Sequence, residues 1–116
     1  MRKRRIYSKV RSIARAFLAG DSEPSEACLL LSPYAFWNPE LFSDEDKKLL
    51  TVVNSETDDL PIGRLRENWH PDFLPAKLES LAKYDALIKS DVRNLCERLL
   101  VTAAWHKSTQ EADENS

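Results

Sequence analysis

Residues 75–105 read PAKLESLAKYDALIKSDVRNLCERLLVTAAW, and their spacing decides the fold class. Leu78, Leu81, Ile88, Val92, Leu95, Leu99 and Ala103 recur mostly at three- and four-residue steps, the period of one face of an α-helix. Leu87, Cys96 and Leu100 widen that stripe, while Asp85 interrupts it and Ser90-Asp91 offers a place to bend. At 1.5 Å per residue, about thirty helical residues span roughly 45 Å, more than the diameter of a small domain. The spacing predicts a long C-terminal helix that either kinks near Ser90 or projects from the domain. A projecting end is a candidate seam for a homodimer. The polar residues 108–116 read as a disordered tail.

Upstream of this stretch the pattern stays helical. Over residues 4–19, Ile6, Val10, Ile13, Ala14, Phe17 and Leu18 share one face. Arg4, Ser8, Arg11, Ser12 and Arg15 share the other, and Gly20 is a natural stop. Asp21 or Ser22 is suited to cap a second helix with Pro24 in its first turn. Ala27, Cys28, Leu29, Leu30 and Leu31 make that helix apolar nearly all round, which predicts burial, and Ser32-Pro33 is its expected end. Residues 34–42, with Tyr34, Phe36, Trp37 and Phe42, read as an aromatic connector that covers the core. Ser43 caps a third helix opened by Asp44, Glu45 and Asp46, which suit the positive end of a helix dipole. Leu49, Leu50, Val52 and Val53 follow; they also fit a short strand, although no partner strand is evident. The expected architecture is all-α: a bundle of about four helices in one domain, residues 1–107, with one polar connecting loop. Only two glycines in 116 residues argue against a turn-rich β fold.

Charge is unevenly distributed. Residues 1–20 carry seven basic and no acidic side chains, and residues 21–62 carry ten acidic and two basic ones. The rest carries nine acidic and eight basic, for a formal net charge of −2. Pairing of the first helix with the acidic middle is the simplest reading. A basic surface formed by Arg4, Arg11 and Arg15 for nucleic acid is the sharper alternative. The isoelectric point near 5.7, and the lack of a second basic helix, make nucleic acid the less expected partner. Lys9, Arg11 and Arg15 exclude the apolar core of a signal peptide after the basic start, and no run approaches about 20 apolar residues. The expected location is cytoplasmic, with no membrane partner.

Chemistry-bearing residues are sparse. Cys28 and Cys96 sit in apolar runs without metal-ligand spacing, and read as buried free thiols. His70 and His106 have no nucleophile beside them, and no nucleotide-binding or hydrolase motif occurs. No catalytic residue, metal or cofactor is therefore expected. Residues 54–63, NSETDDLPIG, collect hydroxyls and carboxylates in one loop, followed by Arg64, Arg66 and Trp69. Glu56, Asp58 and Asp59 suggest a divalent-cation site, hence a metal-dependent enzyme, but the spacing is not that of a calcium loop. Turn-forming side chains bracing the fold are the plainer reading. If the loop acts on a partner, Ser55, Glu56, Thr57, Asp58, Arg64, Arg66 and Trp69 are the residues to contact it, since Arg and Trp dominate interaction hot spots.

The pattern Ser55-Glu56-Thr57-Asp58-x-Leu60-Pro61-x-Gly63-x-x-Arg66-x-x-Trp69 resembles a family of small bacterial proteins, the domain of unknown function 2489. The helix end at 16–20 and the long C-terminal helix also fit that family, so the resemblance covers most of residues 10–100; the aromatic stretch at 34–42 does not belong to it. It implies a bacterial cytoplasmic protein and carries no activity, cofactor or site residue. The expected function is a non-catalytic protein-interaction module that neutralises or regulates another protein, as an immunity protein does.

Overall fold

The computed structural model describes residues 3–60 and 71–115, and the side chains of 5–60 and 71–102; these residues form four helices. α1 spans Lys3–Leu18, α2 Pro24–Trp37, α3 Asp44–Glu56 and α4 Leu74–Asn115, with a 3-10 turn at Pro39–Leu41. No strand occurs among the described residues, so Leu49 to Val53 are helical rather than extended. α1 and α4 share the largest interface, and α2 packs against α1, α3 and α4.

The α1 boundary follows from glycine chemistry. Gly20 has φ +86°, the left-handed conformation that avoids a Cβ clash. Asp21 N–H donates to Ala16 O at 2.8 Å and Gly20 N–H to Phe17 O at 3.0 Å. This pair of bonds satisfies the last carbonyls of the helix. α3 starts as its sequence predicts. Ser43 Oγ accepts from Asp46 N–H, and Asp46 returns the bond to Ser43 N–H, a reciprocal cap.

α2 departs from expectation in three ways. It does not stop at Ser32-Pro33 but runs through Pro33 to Trp37. Proline removes the bond to the carbonyl four residues back, that of Leu29. Leu29 and Pro33 both lie on the solvent side, where water can take that carbonyl. The expected aromatic connector is therefore the last turn of α2 and a 3-10 turn. Neither Asp21 nor Ser22 caps the helix. Glu23 holds the cap position without a side-chain bond, and the N–H of Ser25 is taken by Asp85 of α4 at 2.8 Å. The helix is not buried all round either, since only Pro24, Ser25, Ala27, Cys28 and Leu31 are fully inside.

The core gathers Val10 and Ala14 of α1, Cys28 and Leu31 of α2, Val53 of α3, and Val92, Leu95, Cys96 and Leu99 of α4. Asp85, which breaks the apolar stripe of α4, is buried because its carboxylate serves α2. Ser90 and Asp91 lie inside continuous helix. About 42 helical residues measure roughly 63 Å, which accounts for the molecule's extents of 59 × 25 × 24 Å. Where composition predicts a disordered tail from Ser108, the helix continues to Asn115.

Candidate functional site

The polar loop breaks up when its residues are placed. Asn54, Ser55 and Glu56 belong to the last turn of α3, and Thr57 closes it. Thr57 is buried, and its hydroxyl donates to Val53 O at 2.6 Å. Burial first, and then the Glu56 carboxylate, push the hydroxyl pKa of Tyr84 in α4 upward. Asn54 donates to Ser32 Oγ, which itself donates to Cys28 O, tying α3 to α2. Asp59 pairs with Lys77 at 3.4 Å, and Leu60 packs on Leu81. The segment is mostly spent on fixing the start of α4. Ser55, Glu56 and Asp58 are exposed. Arg64, Arg66 and Trp69 lie outside the described residues, so they are not placed beside the others. Among the described residues, no three His, Cys, Asp or Glu side chains converge as metal ligands.

Among the described residues, Arg5, Lys9, Arg11 and Arg15 form no ion pair. Asp46, buried in the reciprocal cap, is paired with Arg98 of α4 instead. Arg4 lies in α1, with its side chain outside the described ones.

The surface that stands out is one the sequence reading assigned to the interior. Leu29, Leu30, Pro33, Phe36 and Trp37 follow three- and four-residue steps on the outward side of α2. Phe36 and Trp37 are each 75% exposed, and Leu29 and Leu30 are 39% and 46% exposed. The two rings meet edge to face, centroids 5.0 Å apart at 87°. With aromatics offering 150–250 Å² apiece, this face presents on the order of 400 Å² of apolar surface. A patch of that size is within the range of the largest apolar patch on a typical monomer, which is often functional. Its partners in the core are the signal that sequence alone lacks. Ala27, Cys28 and Leu31 turn inward, which leaves Leu29, Leu30, Phe36 and Trp37 on the outward side. Of the expected core-covering aromatics, Phe42 is buried and Tyr34 packs on the core, whereas Phe36 and Trp37 do not.

Other features are less suggestive. α4 is the expected dimer seam; among its described side chains, which end at Thr102, the exposed large hydrophobics are Leu87 and Val101, 14 residues apart. A half-open recess of about 470 Å³ lies between the end of α1, the start of α2 and α4. It is bordered by Lys89 and Arg93 but also by Glu23 and Asp85, the last engaged by Ser25. Cys28 and Cys96 are free and buried, as expected. Burial foremost raises both thiol pKa values to about 12, which makes them poor nucleophiles at neutral pH. No described helix is long and apolar enough to cross a membrane.

Set against known proteins, the chain matches no family model, no curated protein and no solved structure at a significant level.

Proposed function

We propose that this protein is a non-catalytic interaction module that holds a partner protein against the outward face of α2. The observation carrying this reading is the pair Phe36 and Trp37, each 75% exposed on a helix that is anchored at both ends. Asp85 fixes the start of α2, and the turn at Pro39–Leu41 with Leu41 and Phe42 buried fixes its end. A rigid element presenting large aromatics loses little side-chain freedom on binding, which favours affinity. Neutralisation or regulation of the bound protein, in the manner of an immunity protein, is the concrete form proposed. Of residues 55–58, Ser55, Glu56 and Asp58 are exposed and open to such a contact, whereas Thr57 is buried.

The test compares tagged wild-type chain with Phe36→Ser and Trp37→Ser variants, purified side by side from the native host. A stoichiometric partner that is retained by the wild type and lost from both variants, at unchanged melting temperature, supports the reading. A partner retained equally by all three, or none at all, overturns it.

A further inference from the structure

We infer that the outward face of α1 is a second binding surface, one that takes the phosphate backbone of a double-stranded nucleic acid. Arg5, Lys9 and Arg15 are exposed along one side of α1, with Ser8 and Ser12 exposed between them. Arg11 borders the same side, half-buried, and its Nε is a buried donor without a partner. The whole of Lys3–Leu18 contains no acidic residue. Among the described residues, none of these four cations is paired. Internal neutralisation, the simplest account of a basic first helix in an acidic chain, is therefore not what they do.

The geometry suits a line of phosphates. Successive helical turns place a cation or a hydroxyl about every 5–6 Å, along a helix of roughly 24 Å. Duplex DNA presents one negative charge per about 1.7 Å of axis, so the row faces many phosphates at once. Hydroxyls and guanidinium groups are the usual donors to phosphate oxygens. A lipid surface fits less well. The apolar face of α1, with Tyr7, Val10, Ala14 and Phe17, is sealed in the core and has nothing to insert between acyl chains. The surface lies on a different helix from Phe36 and Trp37, so it stands or falls independently of the α2 reading.

Counterion release makes this quantitative. Four cations predict a slope of log affinity against log salt between about −3 and −4, and a loss of about 100-fold from 50 to 200 mM salt. The experiment is fluorescence anisotropy of a labelled 24-base-pair duplex titrated with the full chain. Lys9→Gln and Arg15→Gln are measured in parallel, with thermal melts to show that the exposed substitutions leave the fold intact. Binding with that slope, reduced by about 0.9 in each variant, supports the inference. No binding at 25 mM salt overturns it, as does a slope unchanged by either substitution. Equal binding of polyglutamate would reassign the face to acidic protein, and binding of phosphatidylserine vesicles without binding of DNA would reassign it to membranes.

Discussion

Asp85 and Ser25, 60 residues apart in the chain, are joined by a buried hydrogen bond of 2.8 Å from the Ser25 N–H to the Asp85 carboxylate. The bond makes the middle of α4 the cap of α2, supplying from another helix what Glu23 at the cap position does not. A carboxylate there satisfies an orphan donor and meets the positive end of the helix dipole. Asp85→Ala is expected to cost about 2–3 kcal/mol, since it strips a buried N–H of its charged acceptor. Asp85→Asn, which keeps an acceptor oxygen, is expected to cost less. Urea unfolding of the two variants checks the order. Equal losses would show that a neutral acceptor oxygen in the same space does not hold the Ser25 N–H.

Arg98 and Asp46 form the second cross-link between distant elements. Asp46 is almost fully buried, whereas about half of the Arg98 side chain is in solvent. Removing the guanidinium leaves the carboxylate with only its bonds in the α3 cap. Exposure of Arg98 moderates the loss, so Arg98→Ala is expected to cost about 1–2 kcal/mol. A double-mutant cycle with Asp46→Asn measures the coupling, and additive losses would deny it.

Gly20 offers a sharper test of local backbone. Its φ of +86° is one that residues with a Cβ rarely adopt, although no atom lies within 4 Å of where a Cβ would stand. Gly20→Ala should therefore destabilise by about 1 kcal/mol through backbone strain alone. A stabilised Gly20→Ala would mean that α1 does not end in this turn.

The buried thiols predict alkaline sensitivity. In the unfolded chain Cys28 and Cys96 ionise near their ordinary value of 9.0, but burial holds both protonated up to about 12 in the fold. Above pH 9 the unfolded chain binds fewer protons than the folded one, so stability falls as pH rises from about 9 to 12. Each thiol contributes a slope of about 1.4 kcal/mol per pH unit within that window. Tyr7 and Tyr84, raised by burial and then by Glu40 and Glu56, act in the same direction at higher pH. Unfolding midpoints at pH 7, 9 and 10.5, compared between wild type and Cys28→Ala, isolate the thiol. Identical pH dependence in the two would contradict a buried thiol.

Much of this fold is legible in residue spacing, and the exceptions share a cause. The long helix, the Gly20 stop and the Ser43 cap are local features, decided by neighbours within a turn or two. Pro33 misleads because its cost depends on which way the Leu29 carbonyl faces, a tertiary fact. Asp85 looks like a flaw in a stripe until its partner arrives from 60 residues away. For the candidate site, an all-apolar helix cannot announce which side the core will leave uncovered, so Leu29, Leu30, Phe36 and Trp37 read as interior. The polar loop draws attention through residue types that Thr57 and Asn54 use to hold the chain in place.

The exposed face of α2 should matter for binding and not for folding. Trp37→Ser is expected to change stability by no more than about 0.5 kcal/mol. As a hot-spot truncation worth about 2 kcal/mol, it should weaken partner binding roughly 30-fold. Calorimetric titration of the purified partner with each form would show it, and equal affinities would remove Trp37 from the contact.

The most direct measurement places a photoreactive benzoylphenylalanine at position 36 in the native host, with position 48 on the exposed side of α3 as the control. The account predicts a discrete adduct containing a second, different polypeptide from position 36 and none from position 48. Equal labelling from both positions would contradict it. An adduct built only of this chain would also contradict it, and would assign the α2 face to a homodimer.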